Sequence, residues 1–121
     1  MSKSELESTF AGTWALLARS LGLPLPEPQV MLNAPVSKHV WDFVWAASKV
    51  AVEIQGGTWL PGHTAHAGGS GASRDAKKNN LAVLNGYVVL YATSDMLNQT
   101  HIMDFLQTVA TVLQQRGEPH A

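Results

Sequence analysis

Two carboxylates interrupt apolar runs in which a strand would bury its side chains. Asp42 lies inside Trp41-Asp42-Phe43-Val44-Trp45, and Glu53 lies inside Val50-Ala51-Val52-Glu53-Ile54-Gln55. Ala46-Ala47-Ser48-Lys49 separates the runs. An antiparallel hairpin with its turn centred between Ala47 and Ser48 sets residue 45 opposite 50 and residue 42 opposite 53. Asp42 and Glu53 then oppose each other on one face, and strand alternation puts Gln55 on the face of Glu53. Like charges directly opposed in a sheet are destabilising. A divalent cation between them removes that cost. Hard ions such as Mg²⁺, for which Mn²⁺ can substitute, take carboxylate oxygens together with water and substrate phosphates. The plainer alternative is a solvated carboxylate pair at the sheet rim. The apolar neighbours Trp41, Phe43, Val52 and Ile54 argue against exposure.

Residues 56–71 hold a further set of reactive side chains. This stretch has no hydrophobic period, is rich in glycine, and carries Trp59, His63 and His66. Long loops in compact domains are usually functional or mobile. Two loop histidines could ligate zinc, although no cysteine and no evident third ligand support them. Arg74, Lys77 and Lys78 form a small basic cluster just after the loop, and Lys38 and Lys49 lie near the hairpin. Such a cluster could make a local phosphate-binding face. Lys78 could instead pair with Asp75 on a solvated helix. Asn80 could contact phosphate or cap the loop. Trp14, Trp41, Trp45 and Trp59 are more often core residues than base-stacking platforms; Trp59, beside the loop, is the one to test for nucleic-acid contact.

The elements around these residues follow from periodicity. Residues 4–21 carry Leu6, Phe10, Trp14, Leu17 and Leu21 at helical spacing. Either Ser2 with Glu5 or Ser4 with Glu7 fits a capping box, and Gly22, Pro24 and Pro26 stop the helix. A short strand is expected over 28–33 and the hairpin over 39–46 and 50–55. A helix follows over 73–85, with Ser73 as N-cap, Asp75 in the first turn, and Val83 and Leu84 on its apolar face. Then come a buried strand over 87–91 and a last helix over 95–115. The order is a mixed α/β domain with about four strands covered by helices. At 121 residues and 45% hydrophobic, the chain suits one domain with a real core. A net charge of −1 gives no broad attraction to nucleic acid, so any such binding must be local. Neither a membrane-spanning run nor a signal-peptide core is visible, which leads to the expectation of a cytoplasmic protein.

Asp42 followed by Glu53-Ile54-Gln55 resembles the signature of the PD-(D/E)XK nuclease superfamily, an Asp on one strand and Glu-x-Lys on the next. The segment Val52-Glu53-Ile54-Gln55-Gly56-Gly57-x-Trp59 extends the likeness, as do Gly62-His63-Thr64, Gly71, Asp75-x-x-Lys78-x-Asn80 and Gly86-Tyr87-Val88-Val89-Leu90. Together they are similar to a small phage and bacterial endonuclease domain over roughly residues 40–96. Very-short-patch repair endonucleases and Holliday-junction resolvases have related folds. Two departures stand out: Gln55 occupies the usual Lys position, and Gly62 abuts His63 where an Arg often precedes the His.

The resemblance implies a restriction-endonuclease-like core in the order α-β-β-β-α-β-α. It implies Mg²⁺ on Asp42 and Glu53, with the Ile54 carbonyl as a further ligand. Gln55 would hold water or touch phosphate, Lys78 would supply the displaced catalytic cation, and His63 would serve as acid, base or phosphate contact. Glu5 or Glu7 on the first helix could reach the metal. The implied activity is phosphodiester hydrolysis in duplex or branched DNA, structure-specific or weakly specific, in recombination or repair. The protein would be of phage type and act in the host cytoplasm, with a homodimer possible through the last helix. The alternatives are a decayed nuclease fold that only binds nucleic acid, and a zinc hydrolase using His63 and His66.

Overall fold

The computed structural model describes residues 1–32, 39–55 and 68–117, and residues 68–72 and 74 by backbone only. Helix α1 spans Lys3–Leu21. Ser2 caps it, with the Glu5 N–H donating to Ser2 Oγ (3.2 Å) and the Ser2 N–H donating to Glu5 Oε1 (2.6 Å). Of the two expected capping boxes, this one forms, which leaves Glu7 for other work. Gly22 ends the helix in the left-handed region at φ 67°, where glycine carries no Cβ penalty. The buried stripe is Leu6, Phe10, Trp14 and Ala18. It advances four residues at each step, so the expected Leu21 falls outside it and is exposed. The indoles of Trp14 and Trp45 both donate to the Pro24 carbonyl, at 3.1 and 2.9 Å.

Strands β1 (Glu27–Met31), β2 (Val40–Trp45), β3 (Val50–Ile54) and β4 (Val88–Ala92) form one mixed sheet in the order β1-β2-β3-β4. The first three are antiparallel, and β4 runs parallel to β3. A parallel pair needs a crossover, and helix α2 (Gly68–Leu84) lies between β3 and β4 in the chain. Helix α3 spans Ile102–Gly117. The main core joins α1 and α3 to Phe43, Trp45, Val50, Val52 and Ile54 on one sheet face. A smaller cluster on the other face joins Ala82 of α2 to Val44 and Ala51. The fold is therefore α/β, a four-stranded mixed sheet between helices.

Three expectations need correction. Helix α2 begins at Gly68, so Ser73 is not its N-cap and Asp75 is not in its first turn. The glycines of 68–71 have low helix propensity and read as loop, but propensity is a weak prior that tertiary context overrides. Val83 and Leu84 do not form the apolar face of α2; they are 56% and 81% exposed. The buried row runs through Lys78 and Ala82, and the helical repeat then turns 83 and 84 outward. The expected helix over 95–115 is instead a 3₁₀ turn (Asp95–Leu97) followed by α3. Asn98 makes the break: its backbone is extended, and its side-chain oxygen accepts the N–H groups of Thr100 (3.0 Å) and His101 (2.8 Å). Asparagine competes with helical bonding in this way.

At the turn end of the hairpin, two cations tie three chain segments together. Lys49 Nζ donates to the Asn85 carbonyl (3.0 Å), and Arg116 donates to the carbonyls of Ser48 (2.9 Å) and Gly86. Lys49 has φ 56° and Gly86 φ 85°.

Candidate carboxylate site at the open end of the hairpin

The β2–β3 register is Phe43↔Val52, Val44↔Ala51 and Trp45↔Val50. Continued by one step, it sets Asp42 opposite Glu53, as the sequence predicts. The ladder itself changes there. The Asp42 N–H donates to Glu53 Oε1 (3.2 Å), and the Ile54 N–H donates to Asp42 Oδ2 (2.7 Å). Each carboxylate thus grips the backbone of the opposite strand. Strict alternation would put Trp41 with Phe43 and Trp45, but Trp41 packs with Val44 and Ala51 in the smaller cluster. Asp42 meets α1, whose buried residues lie in the main core. The two carboxylates are therefore opposed in register but are not abreast on one face.

The like-charge cost that suggested a metal is met here by the protein's own cations. Lys78 Nζ lies 2.6 Å from Glu53 Oε2 and 2.9 Å from the Val40 carbonyl, and 4.3 Å from the centre of the Trp41 ring. Lys78 pairs with Glu53 and not with Asp75. Lys3 Nζ lies 3.2 Å from Asp42 Oδ1 and 3.8 Å from Glu7 Oε2. The Asp42 side chain is 4% exposed and that of Glu53 16%, so both depend on these partners.

The electrostatics record the crowding. Burial pushes the Glu53 carboxyl above its ordinary range; Lys78 opposes this, and the charge on Asp42 adds to it. Burial likewise raises Glu7, reinforced by Asp42, to which Glu7 is hydrogen-bonded. For Lys3, burial works against the charge, but Asp42, Glu53 and Glu7 outweigh it and raise its pKa.

Glu7 is thus the first-helix carboxylate that reaches the site, while Glu5 serves the cap. The half-buried Gln55 donates its backbone N–H to the Ala92 carbonyl (2.7 Å). Its side chain has no polar partner among the described residues. Lys77 and Asn80 are exposed on α2, and Arg74 belongs to the same helix. Lys49 lies at the turn end, away from the carboxylates. Trp59, His63, His66 and Lys38 lie outside the described residues.

Sequence reasoning missed Lys3 and Tyr91. Lys3 and Glu7 stand four apart on one helix, a readable pair. Tyr91 pairs with Glu53 in the parallel register, and its hydroxyl donates to Asn79 Oδ1 (3.1 Å). Burial, then Glu53 and Asp75, raise its pKa.

Among the described residues, no group of three or more His, Asp or Glu side chains is arranged to hold a metal ion. All four oxygens of Asp42 and Glu53 already have partners. One oxygen of each carboxylate is fixed by a backbone N–H, and Oδ1 and Oε2 already face positive charge. A cavity of about 500 Å³ lies against β4 and α3, lined in part by Leu90, Tyr91 and Phe105, and none of these carboxylates lines it. Among the described residues, no helix is long and apolar enough to cross a membrane. Comparison with protein-family models, curated proteins and solved structures finds no match.

Proposed function

We propose that the chain is a Mg²⁺-dependent endodeoxyribonuclease built on a restriction-endonuclease-like core. The observation that carries this reading is the reciprocal hold between Asp42 and Glu53, which fixes two carboxylates at the C-terminal end of β3 with their remaining oxygens facing cations. In open α/β sheets, ligands bind beyond the carboxyl ends of the strands. The element order through β4, with a three-stranded antiparallel meander and a parallel fourth strand, agrees with the resemblance of the motifs.

Asp42 and Glu53 would hold Mg²⁺ or Mn²⁺ in place of the lysine ammonium groups that now neutralise them. When bound, the ion supplies Lewis-acid activation of the phosphodiester and of water. Backbone N–H bonds keep both carboxylates from rotating away, and Lys78 keeps Glu53 at the rim. Gln55 follows Glu53 by two residues, where its amide can orient water but cannot supply an ammonium's charge. Arg74, Lys77 and Asn80 on α2, with Trp59, form the expected DNA contact. A chain of this size has little surface for base readout, so structure-specific or weakly specific cleavage is the expected mode.

Glu53→Gln is the decisive variant. The amide oxygen can still accept the Asp42 N–H, so the fold survives, while the ligand charge is lost. The expected result, on a panel of single-stranded, duplex, flap and four-way-junction DNA with Mg²⁺ and with Mn²⁺, is cleavage by the wild type and a loss on the order of 10³-fold in the variant. Equal rates in both proteins would refute the assignment.

A further inference from the structure

The cavity against β4 and α3 lies apart from the proposed nuclease site, since neither Asp42 nor Glu53 lines it. We propose that it binds a small organic molecule with an apolar body and a primary ammonium group.

Its volume of about 500 Å³ falls within the range of small-molecule sites. Leu90 of β4, Phe105 of α3 and Met96 of the 3₁₀ turn supply apolar lining. Phe105 belongs to the main core and Leu90 packs against it, so this part of the wall is held in place without a ligand. Tyr91 and Met96, which also line the cavity, are 42% and 37% exposed. A ligand body therefore has apolar surface to cover, and covering it is favourable.

The polar lining sorts into donors already used and acceptors left open. The Tyr91 hydroxyl donates to Asn79 Oδ1 (3.1 Å), and the Thr108 hydroxyl donates to the Asp104 carbonyl (3.1 Å). His101 Nδ1 lies 3.1 Å from Asn98 Oδ1. That oxygen accepts two backbone N–H groups, so it is the acceptor here too and Nδ1 is the donor. The neutral ring then keeps Nε2 as an acceptor. Among the described residues, the carboxylates of Asp95 and Asp104 have no hydrogen-bond or ion-pair partner, and no Lys or Arg lines the cavity. Asp104 stands in the first turn of α3, where the helix dipole favours an acid, but the dipole's partial charge leaves much of the carboxylate's charge unanswered.

A ligand in this cavity thus meets two carboxylates and one imidazole nitrogen, all acceptors. A primary ammonium carries three donor hydrogens and a full positive charge, which matches them in number and in sign. A phosphate meets two like charges, so the cavity is unsuited to the nucleic-acid backbone.

The test titrates the protein with 2-phenylethylamine, and with 2-phenylethanol and 3-phenylpropionate as neutral and anionic bodies of similar size. Binding is read by calorimetry and by the methyl signals of the methionines. Met96 lines the cavity, and Met31, on β1, is exposed and does not. The expected result is saturable binding of the amine with a Kd of about 1 mM or tighter, with a shift at Met96 and none at Met31. The alcohol and the acid should bind more weakly by about ten-fold or more. Asp95→Asn and Asp104→Asn, both at exposed positions, should each weaken the amine about three-fold and together about ten-fold, with Tm unchanged. No saturable binding of the amine overturns the proposal. So does equal binding of the alcohol or the acid, wild-type affinity in the double variant, or a shift at Met31 in place of Met96. Each of these results leaves the reading of Asp42 and Glu53 where it stands.

Discussion

The two ends of the β2–β3 hairpin both gather lysine or arginine, and they use it differently. At the turn end, Lys49 and Arg116 donate to the carbonyls of Ser48, Asn85 and Gly86. At the open end, Lys3 and Lys78 face the carboxylates of Asp42 and Glu53. A peptide carbonyl is neutral, so a cation that leaves it exposes only a dipole to water. A carboxylate keeps its full charge and demands a replacement. The first arrangement is a fastening that holds the turn against the start of β4 and the end of α3. Under the proposed function, the second exchanges one cation for another, and that separates a site from a staple.

The contrast breaks most sharply at Asp42. Asp42→Ala removes the acceptor for the Ile54 N–H and leaves Lys3 without its close partner. A loss of about 3–5 kcal/mol is expected in chemical denaturation. Arg116→Ala at the other end, where the side chain is exposed, should cost about 1 kcal/mol and leave divalent-ion binding by calorimetry unchanged. A change in ion binding on Arg116→Ala would show that the two ends are not independent.

The next effect is a pH dependence confined to the carboxylate end. Glu7 and Glu53 have folded pKa values raised above 4.5. A raised carboxyl binds more protons in the folded state than in the unfolded one. Its contribution to stability is therefore full below the unfolded value and is lost as pH rises through the folded value. The metal-free protein should lose stability as pH rises above about 4.5 into the weakly acidic range, and Mg²⁺ should flatten the profile. Glu7→Gln should remove part of the slope. A metal-free profile that rises across this window would contradict the electrostatics described.

The smallest change is Gly86→Ala. Its φ of 85° disfavours a side chain, and the added Cβ would lie 3.5 Å from Lys49 Cδ. A loss of about 1 kcal/mol without any effect on ion binding is expected, checked by denaturation and calorimetry.

Much of this molecule was legible because local rules and tertiary packing agree. The hairpin register came from the lengths of two apolar runs and one turn, and it placed Asp42 opposite Glu53. The cap at Ser2 and the stop at Gly22 were readable for the same reason. Reading failed where distant residues decide. Val83 and Leu84 looked like a packing face, but α2 is rotated so that Lys78 reaches Glu53. The glycines at 68–71 looked like loop, but helix α2 begins there. Asn98 divided one expected helix through a side-chain bond that no periodicity reveals. The pairing of Lys3 with Glu7 was readable, but its pairing with Asp42 was not, because Asp42 is far away in sequence, on another element. The sequence pointed to a divalent cation between two carboxylates; the fold sets one lysine against each of them, Lys3 on Asp42 and Lys78 on Glu53.

The shared acceptor at Pro24 has a mechanical consequence. Trp14 and Trp45 are bound to one oxygen, so α1 and β2 share a polar tie at Pro24. Phe10, one turn closer to Lys3, rests on Phe43 of β2 and Phe105 of the last helix, and Leu6 is buried a turn beyond it. The stretch from Trp14 to Lys3, about 16 Å at 1.5 Å per residue, is therefore clamped along its length. A substitution beside Pro24 must disturb that packing before it can change how far Lys3 stands from Asp42.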